Sequence, residues 1–157
     1  MPPAVLIDTN VWVSALINPH GFPARLKDAW TAGRFDVVVS IPLLEEVADV
    51  LARPRIQAKY GLSTEEIEQF LRLLQERAIH VSPTGDVHLC RDPDDDLILE
   101  TAILGEARYA VSRDDDLKGD NDLVAQMRSR GVEVLTVQHF LERLDAGLLV
   151  QAASVEV

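Results

Sequence analysis

The residues of this chain best placed to do chemistry are carboxylates at the ends of apolar runs. Asp8 closes Ala4-Val5-Leu6-Ile7, and Asp114 follows Tyr109-Ala110-Val111-Ser112 after one intervening residue, Arg113. Asp95 and Asp96 open an apolar segment with helical spacing, and Glu46 sits inside another. In a parallel α/β sheet, the strand ends and helix starts of one edge share a cleft, so acids distant in sequence can converge there. Clustered carboxylates repel one another unless a cation neutralises them. Hard oxygen donors suit Mg2+ or Mn2+. The pattern therefore points to a divalent-metal site, and phosphodiester or phosphoryl transfer is the chemistry such sites commonly serve.

Each acid also has a plainer explanation. Asp8 can be a helix N-cap, with Thr9 and Asn10 holding its carboxylate or capping in their turn. Glu46 can be a solvated charge, as acids on helices mostly are. Asp92, Asp94, Asp95 and Asp96 precede Leu97-Ile98-Leu99, and negative charge at a helix N-terminus is favourable. Helix polarity accounts for one or two of those four, not for all. The run Ser112-Arg113-Asp114-Asp115-Asp116-Leu117 can be an Asx-type turn. The conjunction favours the site: four groups fall where one edge of a doubly wound sheet would gather them.

The elements that must position these acids alternate along the chain. Strands are predicted at Ala4–Ile7, Asp36–Ser40, Ile79–Val81, Tyr109–Ser112 and Val132–Val137. Helices are predicted at Val11–Ile17, Pro23–Ala32, Leu43–Leu51, Ser63–Ala78, Asp95–Glu106, Leu123–Arg130 and Gln138–Asp145. Ser63 to Glu66 forms a capping box ahead of Ile67, Phe70, Leu71 and Leu74 on one face. Glycines at 33 and 131 and prolines at 42 and 54 punctuate the pattern. Strand–helix alternation implies a mainly parallel sheet with helices on both faces. Residues 1–150 read as one domain, with 151–157 as a mobile tail.

Composition narrows the function classes. The 157 residues include a single cysteine, Cys90, which rules out an internal disulfide and a multi-cysteine zinc site. That fits a reducing cytoplasm. Met1-Pro2-Pro3 leads straight into a strand, so neither a signal peptide nor a membrane span is expected. The net charge of −11 argues against a general nucleic-acid binder but not against a nuclease. Arg53, Arg55 and Lys59 form a small basic group that can meet RNA phosphates. His20, His80, His88 and His139 lack metal-ligand spacing. Trp12 and Trp30 sit in apolar helical settings suited to the core or a dimer contact.

Taken in order, Asp8-Thr9-Asn10, Glu46 through Arg53-Pro54, Asp92-Pro93-Asp94-Asp95-Asp96-Leu97-Ile98-Leu99 and Val111 through Leu117 resemble the PIN-domain nuclease family. The resemblance covers roughly residues 4–145. More narrowly, the chain is similar to the VapC-like toxins of bacterial and archaeal toxin–antitoxin pairs. The resemblance implies a three-layer α/β/α sandwich around a mainly parallel sheet. It implies three or four acids holding one or two Mg2+ or Mn2+ ions, cleavage of RNA phosphodiesters, and an antitoxin protein as partner; single-stranded RNA is the expected substrate. By position, Asp8 matches the first acid, Glu46 the second and Asp114 the fourth. The third falls on Asp95 or Asp96: Asp95 fits the Asp-Pro-x-Asp form, and Asp96 is in register with the apolar run. Asp116 matches an auxiliary acid. Ser112 stands where threonine is frequent and Arg113 where glycine is common. A homodimer is expected from apolar helices such as Val11–Ile17. Competing readings are a receiver-like switch, a haloacid-dehalogenase-type phosphatase (which needs an acid where Asn10 stands), and a catalytically silent PIN-fold interaction module.

Overall fold

A computed structural model of the chain describes residues 2–113 and 121–150. Five strands form one parallel sheet: β1 (Ala4–Ile7), β2 (Asp36–Ser40), β3 (Ile79–Val81), β4 (Tyr109–Ser112) and β5 (Glu133–Thr136). Their order is β3-β2-β1-β4-β5. The chain winds outward from β1 through β2 to β3, then returns to the other side of β1 for β4 and β5. The winding therefore reverses between β1 and β4, and α/β sheets place ligand crevices outside the carboxyl ends of strands at such a switch point. A receiver-like domain would carry the order β2-β1-β3-β4-β5, so the observed order removes that reading.

Eight helices lie among the described residues: α1 (Thr9–Ile17), α2 (Phe22–Thr31), α3 (Ile41–Leu51), α4 (Pro54–Tyr60), α5 (Thr64–Arg77), α6 (Pro93–Leu104), α7 (Asn121–Ser129) and α8 (Val137–Asp145). Successive strand residues point to opposite faces, and parallel strands buried on both faces read as continuous apolar runs. Val5, Ile7, Val37, Val39, Val111 and Leu135 pack with Trp12, Trp30, Val47, Phe70 and Phe140 from α1, α2, α3, α5 and α8. Leu6, Ala110 and Val134 face the other way, onto Leu99 and Ala102 of α6 and Met127 of α7. The result is a three-layer α/β/α sandwich. Trp12 and Trp30 belong to its interior, 2% and 3% exposed, with ring centroids 5.2 Å apart edge to face.

Local differences from the sequence reading have local causes. In the sequence Pro54 marks a stop after the third helix. It also opens α4, where proline suits a first turn that has no intrahelical acceptor for its missing N–H. Helix α6 starts at Pro93 rather than Asp95, because the Asp92 carboxylate caps it by accepting the Asp94 amide at 2.9 Å. Ser63 caps α5 as expected, its Oγ accepting the Glu66 amide at 3.1 Å. No described helix is long and apolar enough to cross a membrane.

Candidate active site

Asp8 ends β1 and precedes α1, with φ −64° and ψ 149°. Its amide donates to the Val111 carbonyl at 3.0 Å, which ties the carboxyl ends of β1 and β4 together. Its own carbonyl accepts the Val11 and Trp12 amides that begin the helix, at 3.0 and 3.3 Å. The Asp8 carboxylate, however, makes no capping hydrogen bond. The plainer explanation of Asp8 as a side-chain N-cap therefore does not describe it. Instead the Ser112 hydroxyl, at the end of β4, donates to Asp8 Oδ2 at 3.5 Å. A residue at each strand end thus faces the switch point.

A cleft of about 300 Å³ opens there. Its polar wall consists of Asp8, Glu46, Asp92, Asp94, Asp95 and Ser112. Its apolar wall includes Leu6, Ile98, Ala110, Leu123, Val124 and Met127. Glu46 reaches it from the exposed side of α3 because Leu43, Val47 and Leu51 take the buried face. Asp95 reaches it from the first turn of α6. The structure therefore brings Asp8, Glu46 and Asp95 from three separate parts of the chain to one cleft.

Asp96 points elsewhere. It is 7% exposed, and its Oδ1 accepts the Cys90 amide at 2.7 Å and the Leu89 amide at 2.9 Å. These amides, that of Cys90 foremost, hold its carboxyl below the usual carboxylate range. Of the two candidates for the third acid, Asp95 lies on the cleft and Asp96 is turned away from it. Glu100, which carries no motif signal in the sequence, behaves like Asp96. It is 4% exposed. Its Oε2 accepts the Thr84 amide at 2.6 Å and the Thr84 hydroxyl at 3.0 Å, and its Oε1 accepts the Gly85 amide at 3.0 Å. Its carboxyl is likewise lowered, chiefly by the Thr84 amide. The signal that could find it is its place one turn after Asp96, within the apolar stretch that holds Leu99 and Ala102. Asp122 accepts the Arg91 amide at 2.9 Å. Part of the acidic stretch thus holds backbone rather than facing the cleft.

Thr9 is buried, and its Oγ1 has no hydrogen-bond partner among the described residues; Asn10 is exposed. Arg53, Arg55 and Lys59 are exposed and do not line the cleft, Lys59 lying over the Tyr60 ring at 5.3 Å. No histidine lines it either. The Cys90 thiol is pushed up to about 12, first by burial and then by the Asp96 charge, so it stays protonated. Asp114 and Asp116, like the tail 151–157, lie outside the described residues.

The donor set fits a hard divalent cation in kind, since every described polar side chain that lines the cleft is a carboxylate or a hydroxyl. The spacing is open: among the described residues, no group of three or more His, Cys, Asp and Glu side chains is arranged to hold a metal ion.

Fold and cleft together define a doubly wound α/β domain with a carboxylate-lined site at its switch point. The PIN domain family profile matches residues 4–116. The chain belongs to the PIN domain family, whose members are generally nucleases and typically use divalent metals. An uncharacterized protein of Methanocaldococcus jannaschii is 27% identical over 143 residues, covering 90% of this chain and 91% of that protein.

Proposed function

We propose that the protein is a Mg2+- or Mn2+-dependent endoribonuclease that hydrolyses phosphodiester bonds of single-stranded RNA, and that it is the toxin of a toxin–antitoxin pair. The observation that carries the reading is the convergence of Asp8, Glu46 and Asp95 on one cleft of a PIN domain. These three, with Asp114 from the segment after β4 and Asp116 as an auxiliary acid, are the residues that would hold the cation. When bound, such an ion lowers the pKa of water at the site and stabilises charge growing on the phosphate.

The chain's own residues do the rest. Ser112 orients the Asp8 carboxylate through its hydroxyl. The apolar wall lowers the local dielectric, which strengthens every charge interaction made in the cleft. Among the described residues the polar wall of the cleft is made of carboxylates and the Ser112 hydroxyl, with no histidine or cysteine, which suits direct attack by water. Arg53, Arg55 and Lys59 are the proposed RNA contacts. A net charge of −11 slows encounter with RNA, and a basic antitoxin would complement it. The cytoplasm is the proposed compartment. A homodimer remains part of the proposal, but α1 cannot supply its surface alone, because Val11, Trp12, Val13 and Ala15 are buried within the protomer.

The test is cleavage of mixed single-stranded RNA and DNA with Mg2+, Mn2+ or chelator. Metal-dependent RNA cutting that falls about 100-fold or more in Asp8→Asn supports the reading, on the scale of losing one electrostatic contributor to the transition state. Full activity in Asp8→Asn overturns it. The open spacing of the described acids favours a second reading, a catalytically silent PIN module that acts by binding. Absence of turnover by folded, Mn2+-supplied wild type, together with RNA or protein binding, supports that second reading.

A further inference from the structure

Helix α6 presents three consecutive aspartates, Asp94, Asp95 and Asp96. Successive residues of an α-helix are about 100° apart around its axis. Turning α6 by one residue would bring Asp96 to the place on the cleft that Asp95 holds and shift Asp95 to that of Asp94. The apolar contacts of Leu99 and Ala102 with the sheet set the buried face, and Asp96 and Glu100, together on one flank of that face, add directional hydrogen bonds to it.

Asp96 and Glu100 are one turn apart on the same helix, and both are buried. Together they receive the amides of Thr84, Gly85, Leu89 and Cys90 and the hydroxyl of Thr84. All these donors belong to the connection between β3 and α6. A buried carboxylate is costly unless hydrogen-bonded, and hydrogen bonds from backbone amides to an ionised acceptor are about twice as strong as neutral ones. Helix and connection therefore hold each other. The same connection continues to Arg91, whose amide is taken by Asp122 of α7, and to Asp92, which caps α6. The two helices that flank the cleft on the α6–α7 side are thus joined by one strap.

We propose that Asp96 and Glu100 are positioning residues: by clamping the Thr84–Cys90 strap they fix the seat of α6 and so hold Asp95 in its place on the cleft, with Asp96 turned away from it. The inference rests on the metal-dependent reading above. It assigns the acids of α6 two jobs, with Asp95 facing the cation and Asp96 and Glu100 setting its direction.

Mn2+ binding to the full chain, measured by isothermal titration calorimetry, tests it. Asp96→Ala removes the clamp, whereas Asp96→Asn keeps one acceptor oxygen. Mn2+ affinity is expected to fall about 10–100-fold in Asp96→Ala, the range seen when a residue that orients a metal ligand is lost. It should fall less in Asp96→Asn, and in the same direction in Glu100→Gln. Leu74→Ala, in the opposite layer, controls for lost stability, and Glu45→Gln controls for lost charge; both should bind Mn2+ within about 3-fold of wild type. Unchanged affinity in all three clamp variants, or an equal loss in Leu74→Ala, overturns the proposal. If Asp95→Asn loses Mn2+ while the clamp variants do not, the proposal fails and the metal-dependent reading stands. If wild type takes up no Mn2+, both fall. Should Asp96→Ala not fold, Asp96→Asn and Glu100→Gln decide the matter alone.

Discussion

Replacing Gly105 with alanine is a sensitive test of how closely α6 is seated on the sheet. Gly105 caps α6 with φ −83° and ψ 0°, a backbone conformation alanine adopts without strain. In open space, Gly→Ala at such a position stabilises by about 0.4–1 kcal/mol through the unfolded chain. Here the space is closed. A Cβ on residue 105 would overlap Val38 Cγ1, lie 2.8 Å from Cγ2 and 3.0 Å from Cβ. Val38 is 1% exposed on β2, which is paired on both sides, so neither strand nor side chain can retreat far. Overpacking of this kind costs about 1–3 kcal/mol. The net expectation is destabilisation by roughly 1–2 kcal/mol, opposite in sign to the usual effect.

Urea unfolding of wild type, Gly105→Ala, Val38→Ala and the double variant measures it. Val38→Ala empties the space the new methyl needs, so the double variant should be more stable than the sum of the singles by about 0.5–3 kcal/mol, the range for residues in contact. A stabilising Gly105→Ala, or simple additivity, would show that α6 does not meet β2 as described.

Three further outcomes follow from the site. Asp95→Asn should lower metal-dependent cleavage about 100-fold or more, whereas Asp94→Asn, in the same cleft without a proposed ligand role, should lower it far less; equal losses in a cleavage assay would refute the assignment. The carboxyls of Asp96 and Glu100 are lowered in the folded protein from 3.8 and 4.5. Their stabilisation is therefore complete above those values, begins to be lost as pH falls below them, and is gone once pH has fallen through the lower folded-state values. Melting temperature should drop below about pH 4.5, and Glu100→Gln should flatten that acid limb; an unchanged profile would show that Glu100 does not bind its amides in solution. With its thiol near 12, Cys90 holds roughly one part in 10⁴ thiolate at pH 8. Iodoacetamide should modify it orders of magnitude more slowly in the native protein than in urea, and equal rates would contradict its placement.

Much of the architecture is legible in the chain because the relevant signals are local. Val37-Val38-Val39 reads as a buried strand, and Ser63 with Glu66 marks a helix start. The spacing of strands and helices implies parallel crossovers, and β-αβ chemistry does the rest. The position of Asp8 at the end of β1 and that of Glu46 on the polar side of α3 are legible for the same reason. Pro54 is not, since one residue can end a helix and begin the next.

What the sequence by itself determined is the inventory: a parallel α/β chain, one unpaired cysteine, and acids at strand ends and helix starts. It left Asp95 and Asp96 as alternatives for the third acid, because identical side chains in a row carry no periodicity. Only the tertiary structure separated them. Which one faces the cleft depends on the rotation of α6, and that rotation is settled by Leu99 and Ala102 against the sheet and by the amides of residues 84–90 against Asp96 and Glu100. Those contacts join segments whose meeting depends on where the whole chain folds back, and no local pattern records it.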